Sequence, residues 1–228
     1  MINIYIGFDR HEEVAFHVLS ASIIRRTSEP IAITPINLSS LKKIFSRELN
    51  PLQSTEFSFS RFLVPYFSGF KGWSIFMDCD MLFLDDIANL WRLRDEQYSV
   101  MCVKHDHKPS EQLKFLGKTQ TQYEKKNWSS LMLLNNEKCT QLTLDYVNTA
   151  SGLDLHRFKW LSGDDEIGEI PAKWNHLVDY DQNLPINEIS NLHFTIGGPY
   201  FKEYRNCSYS DEWMSEFKKT VSPIDYAA

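Results

Sequence analysis

Cysteine is sparse: Cys79, Cys102, Cys139 and Cys207 stand far apart and form no Cys-x-x-Cys pair. That spacing argues against structural zinc and reads as reduced thiols. Nowhere do about 18 apolar residues run together, so no segment has the length to span a bilayer. Basic charge is also short, with 24 Lys and Arg against 30 Asp and Glu for a net charge of -6. The electrostatic footprint of a nucleic-acid binder is missing, and contact with a membrane is expected to be peripheral at most. No repeat, low-complexity tract or Pro/Gly/Ser-rich linker divides the 228 residues, so one domain is expected. The opening Met1-Ile2-Asn3-Ile4-Tyr5-Ile6 reads as a buried strand, not as a basic and then apolar leader. A cytoplasmic location is expected on that ground, and the sequons at Asn37, Asn127 and Asn206 read as chance matches.

What is present is an alternation of strand and helix signals. Strands are expected at 2–8, 31–38, 73–77, 98–104 and 131–134. A helix is expected over 11–26, with Val14, Val18, Ala21 and Arg25 at helical spacing and Asp9 as its cap. Another is expected over 58–67, shortened or kinked by Pro65. Beyond Pro171 short strands near Leu177 and His193 alternate with turns, and 199–204 and 211–219 have helical character. Such an order implies an α/β fold with a mostly parallel sheet. The polar stretch 104–127 is long for a connection, and loops of that kind often carry function. His105 and His107 flank Asp106 on it; a solvated loop is the expected reading, and contact with an acceptor is the alternative.

The strongest local signal is Trp73-Ser-Ile-Phe-Met-Asp78-Cys79-Asp80, followed by Met-Leu-Phe-Leu. A buried strand delivers two carboxylates, one residue apart, at its C-terminal end. Ligands of open α/β sheets bind in the crevice beyond such ends. Two acids there repel unless a cation lies between them, and oxygen-rich sites select Mg²⁺ or Mn²⁺, which bridge phosphate oxygens. A second Asp-x-Asp, Asp179-Tyr180-Asp181, sits in a polar stretch and reads as a solvated turn.

Two families place Asp-x-Asp after a strand. Haloacid-dehalogenase-like phosphatases use the first Asp as nucleophile, and Gly163-Asp164-Asp165 mimics their later metal motif. Their pair normally opens the chain and continues with a small or β-branched residue where Leu82 stands; here about seventy residues precede it. The chain more closely resembles the GT-A nucleotide-sugar glycosyltransferases, specifically family 8, the glycogenin and lipopolysaccharide-galactosyltransferase type. The resemblance runs from Ile4 to about Tyr204 through motifs in the family's order. They are Ile4-Tyr5-Ile6-Gly7-Phe8-Asp9, Ser60-Arg61-Phe62-Leu63 with Pro65, and Phe76-Met77-Asp78-Cys79-Asp80 with Asp85-Asp86-Ile87 and Leu90. Trp128-Ser129-Ser130 leading into Leu131–Asn135, Pro171 with Trp174-Asn175, and His193-Phe194 with Gly197-Gly198-Pro199 complete the set.

The resemblance implies a single GT-A-like (Rossmann-like) domain over 1–228, with 1–104 holding the nucleotide and 105–228 the donor sugar and acceptor. It implies a retaining enzyme that moves a sugar from a UDP-sugar to a glycan or lipid-linked acceptor. Asp78, Asp80 and His193 would bind Mn²⁺, with Mg²⁺ as the alternative. Gly7, Phe8, Asp9, Arg61, Cys79, Gly197, Gly198 and Lys202 would line the donor, and Asp164 and Asp165 would act at the reacting face. Two departures stand out: Asp165 where the family has Gln, and Trp128-Ser129-Ser130 where it has Asn-x-Gly. The alternatives are the phosphatase and a non-catalytic nucleotide-sugar-binding relative.

Overall fold

The computed structural model describes residues 1–48, 53, 55–106 and 124–222. At its centre lies β3 (Trp73–Met77), whose five residues are all buried. A strand apolar along its whole length has no solvent face and demands cover on both sides. On one flank β1 (Ile2–Phe8) runs parallel to it, with Ile4 opposite Ile75 and Ile6 opposite Met77. Next to β1, β2 (Ile31–Asn37) pairs in parallel over its full length. On the other flank β6 (Leu131–Asn135) is antiparallel, Leu131 opposite Met77, and β5 (Val100–Cys102) is antiparallel to β6. An edge strand, β7 (Ile167–Glu169), returns parallel to β5. The order β2-β1-β3-β6-β5-β7 is a mixed, mostly parallel sheet with β6 reversed. It gives the expected α/β architecture.

A smaller sheet decides where the functional residues meet. It is ordered β4 (Met81–Phe83), β9 (Asn191–His193), β8 (His176–Leu177). β4 begins one residue after Asp80, and its antiparallel register sets Met81 opposite His193. Neither the motif nor the hydrophobic pattern pointed to β4, since 81–84 read as apolar flank.

Helix α1 (Glu13–Arg26) covers one face. Its buried stripe is Ala15, Phe16, Leu19, Ser22 and Ile23, with Val18 on the smaller sheet's core. The expected stripe through Val14, Ala21 and Arg25 is therefore offset. Arg25 and Arg26 turn outward to the buried Glu216 of α6 (Ser210–Val221), at 2.5 and 2.9 Å. Asp9 is not the helix cap. Glu12 occupies that position, and the Asp9 carboxylate instead accepts from the backbone N–H groups of His11 (2.9 Å) and Glu56 (3.0 Å). The 58–67 helix is a 3₁₀ turn, Ser60–Leu63, running into α2 (Val64–Phe67). Pro65 sits in the first turn of α2, where its missing N–H costs nothing.

Short helices α3 (Ile87–Trp91), α4 (Leu144–Thr149) and α5 (Gly152–His156) follow, each capped by a side chain: Asp86, Thr143 and Ser151. Of the expected 199–204 helix only a 3₁₀ turn forms, Lys202–Tyr204. Among the described residues no helix is long and apolar enough to cross a membrane.

Candidate metal centre and donor cleft

β3 carries the chain to Asp78, whose backbone N–H donates to the Ser130 carbonyl at 2.9 Å. The Asp78 carboxylate meets the Arg61 guanidinium, with Nη1 2.7 Å from Oδ1 and Nη2 3.4 Å from Oδ2. Asp80 is held from the other side, where its carbonyl accepts from the Phe194 N–H at 2.9 Å. That bond extends the β4–β9 ladder and brings the His193 ring to Asp80, Nε2 to Oδ1 being 3.3 Å. One ligand atom each from Asp78, Asp80 and His193 lies within 4.8 Å of the others. All three residues are buried. Two carboxylate oxygens and one imidazole nitrogen, converging and shielded from water, fit a divalent cation of the Mn²⁺ or Mg²⁺ type.

Cys79 points away from this trio into the core. Burial first, and the neighbouring acids Glu12, Asp80, Asp78 and Asp9 next, push its thiol well above the ordinary range. It is a packing thiol.

Arg61 is almost fully buried between the rings of Phe57 (5.2 Å) and Phe76 (5.0 Å). Its Nη1 also donates to the Ser129 carbonyl at 2.9 Å. The Trp128–Ser130 turn thus anchors Asp78 twice, through the backbone and through Arg61. The Ser129 hydroxyl contacts His156 Nδ1 at 2.8 Å. Burial, then Arg61, Lys126 and Arg47, hold His156 well below its usual range and therefore neutral.

Of the N-terminal motif, Gly7 has a steric reason: a Cβ there would stand 2.2 Å from the Phe57 ring. Phe8 and Asn37, at the C-terminal ends of β1 and β2, open onto a cavity of about 470 Å³. Arg10, Lys42 and Arg47 give it positive charge, and Phe8 and Phe45 give it apolar walls. Asp9 braces the wall through its bond to the Glu56 N–H.

Sequence reasoning passed over Glu12. Its carboxyl is fully buried, accepts from Tyr200 Oη at 2.8 Å, and leaves Oε2 without a hydrogen-bond partner among the described residues. Burial first, then the charge of Asp80, raise it well above the usual carboxylate range; Asp9 and Asp78 add to this, against the Tyr200 bond. The signal available was an acid at the first turn of a helix whose other acid, Glu13, is exposed. Only the tertiary partner Tyr200 distinguishes the two.

The C-terminal glycines sit beneath aromatic rings. Cβ atoms at Gly197 and Gly198 would lie 2.6 Å from Tyr204 and 2.3 Å from Tyr200, and Gly197 adopts φ +150°. The Gly197 N–H donates to the Phe194 carbonyl at 2.9 Å, closing the turn that follows His193. Lys202 is exposed on the next 3₁₀ turn.

Asp164 and Asp165 are not brought to the trio. They lie exposed on the 3₁₀ turn before β7, and Lys125 Nζ holds Asp164 at 2.5 Å. That bond draws the Asp164 carboxyl below its usual range. β7 starts level with Val100 and Leu134, whereas Asp78 leaves β3 beyond Leu131 at the far end of β6. His105 uses its carbonyl to accept from Trp128 Nε1 at 2.9 Å, and His107 lies outside the described residues.

Fold and site together define a GT-A-type architecture, and solved structures share it. The bifunctional glycosyltransferase WbbM superposes with a TM-score of 0.67 at 12% identity over 96% of this chain, which spans half of WbbM. GlyE of Streptococcus pneumoniae TIGR4 gives 0.63 at 14% identity, 95% of this chain matching 60% of GlyE. The galactosyltransferase LgtC, solved with donor and acceptor sugar analogues, gives 0.63 at 9% identity over 98% of both chains. No protein-family model matches the sequence. Protein CDI of Arabidopsis thaliana is 44% identical over 223 residues, 95% of this chain and 86% of the plant protein. The chain belongs to the family of protein CDI.

Proposed function

We propose that this protein is a retaining, family 8-like glycosyltransferase that moves a sugar from a UDP-sugar to a glycan or lipid-linked acceptor. The observation that carries the proposal is the convergence of Asp78, Asp80 and His193 beyond the end of the central strand. Mn²⁺, or Mg²⁺ in its place, would be held by those three residues. A cation there offsets the charge that builds on a nucleoside diphosphate as the bond to the sugar breaks. The chain's own contribution is orientation. Arg61 fixes Asp78, the β4–β9 ladder fixes His193, and the glycine turn at Gly197-Gly198 shapes the rim with Lys202 beyond it.

In this reading the basic cavity at Phe8 and Asn37 takes the base and ribose, with Phe8 of the Gly7-Phe8-Asp9 run in its wall. Residues 1–104 and 105–228 then act as nucleotide and sugar halves of one domain. Asp164 and Asp165 would act at the reacting face, and the enzyme works in the cytoplasm with no nucleic-acid partner. The phosphatase alternative places a nucleophile at Asp78, but that carboxylate is engaged by Arg61 on both oxygens.

A thermal-shift panel of nucleoside diphosphates and UDP-sugars, each with and without Mn²⁺, tests the proposal. A ligand at about a hundred times its Kd adds ~2.7 kcal/mol to stability. Stabilisation by UDP only with Mn²⁺, followed by transfer from the best UDP-sugar with retained anomeric configuration, is the expected result. Binding without turnover of any donor identifies a non-catalytic relative. Indifference to every nucleotide, with Mg²⁺-dependent release of phosphate from simple esters, identifies a phosphatase.

A further inference from the structure

Behind His193 runs a chain of hydrogen bonds with one possible direction. Ser130 Oγ lies 2.6 Å from the Asn127 carbonyl, which can only accept, so the hydroxyl proton is committed there. Toward Asn175 the Ser130 oxygen is therefore an acceptor, and it receives Asn175 Nδ2 at 2.9 Å. That contact sets the orientation of the amide, whose Oδ1 faces His193 Nδ1 at 2.9 Å. An amide oxygen only accepts, so the His193 proton is on Nδ1. In the neutral ring Nε2, the nitrogen 3.3 Å from Asp80, is then the atom that carries the lone pair. Ser130, Asn175 and His193 are each nearly or fully buried, which shields the chain from bulk water.

We propose that Asn175, locked by Ser130, is a positioning residue that selects the Nδ1-protonated tautomer of His193 and keeps Nε2 as the cation-facing atom. The proposal rests on reading the Asp78, Asp80 and His193 trio as a metal centre. It adds residues that do not touch the cation. With the amide reversed, Asn175 would donate to Nδ1, and Nε2–H would point at Asp80 with no lone pair for a metal. Partners beyond a metal-bound histidine usually tune affinity by about 10–100-fold.

The experiment uses the full chain labelled with ¹⁵N-histidine, metal-free and at mildly alkaline pH, with His193 assigned from its loss in His193→Gln. The wild type is expected to show the Nδ1–H tautomer, and Asn175→Ala a mixture or the opposite tautomer. Mn²⁺ affinity, read by electron paramagnetic resonance of the free ion, should fall about 10–100-fold in Asn175→Ala. Asn175→Asp keeps an acceptor for Nδ1–H and should recover most of that loss. Ser130→Ala releases the amide without removing it and should fall between. An Nε2–H tautomer in the wild type overturns the proposal. So does an unchanged tautomer and affinity in Asn175→Ala or, if that variant does not fold, in Ser130→Ala. The tautomer is read without metal or nucleotide. A wild type with the expected tautomer and no Mn²⁺ binding would therefore refute the metal reading, not the direction of the chain.

Discussion

Arg61 and Asp78 form a 2.7 Å ion pair inside a slot walled by Phe57 and Phe76. The pair explains how an acidic crevice folds. One of two adjacent carboxylates is already balanced, and the Ser129 carbonyl takes a further guanidinium proton. Removing Arg61 takes the guanidinium away from a buried carboxylate beside Asp80. Arg61→Ala should lose about 3–5 kcal/mol, the usual cost of stripping one partner from a buried pair. Mn²⁺ should recover more stability in this variant than in the wild type, because the cation takes over the charge Arg61 balanced. Urea unfolding with and without Mn²⁺ measures both quantities, and equal metal responses in the two proteins would separate Arg61 from the centre.

Asp80→Asn carries the opposite expectation. It removes one charge from a cluster that includes Asp78, Asp9 and the buried Glu12. The metal-free protein should melt at the same or a higher temperature, while Mn²⁺-dependent stabilisation by UDP disappears. Differential scanning calorimetry in chelator and in Mn²⁺ plus UDP checks the two arms. Retention of the metal response in Asp80→Asn would remove Asp80 from the ligand set.

These contacts show what was legible before folding and why. The end of β3 could be read because five buried residues in a row need a sheet interior, and the acids follow at once. His193 was placed only by resemblance; its physical reason is the register of β4 with β9, two three-residue strands too short to show a period. Glu12 was passed over because its partner, Tyr200, is 188 residues away. Asp9 illustrates the reverse error, since local pattern made it a cap while a tertiary contact with Glu56 determined its use. Asp164 and Asp165 were set at the reacting face by motif order; they sit exposed on the turn before the edge strand β7, where Lys125 holds Asp164.

Glu12 gives a pH signature. An acid whose folded pKa is raised binds its proton more tightly in the native state than in the unfolded chain. Stability from that group is present below the ordinary glutamate range and is lost as pH rises through the raised folded value. Glu12→Gln keeps a carbonyl acceptor for Tyr200 and abolishes the titration. The metal-free variant should be more stable than the wild type at neutral and alkaline pH, with the difference shrinking toward pH of about 4. Melting temperatures across that range provide the check, and a difference independent of pH would mean that Glu12 does not titrate with folding.

Gly7 links the first strand to the candidate metal centre through Phe57. A methyl group at Gly7 would enter the Phe57 ring, and Phe57 is one wall of the slot that holds Arg61. Gly7→Ala should cost about 1–3 kcal/mol, the range for overpacking a filled core. Most of that penalty should vanish in a Phe57→Leu background, where the colliding ring is gone, so the double-mutant cycle should show strong coupling. Displacing the ring also shifts the guanidinium that orients Asp78, so Gly7→Ala should weaken Mn²⁺ binding although it touches no ligand. A stability loss that is additive with Phe57→Leu, or unchanged metal affinity, would break the chain from Gly7 through Phe57 and Arg61 to Asp78. Coupling in both readouts would make this aromatic contact a structural support of the site.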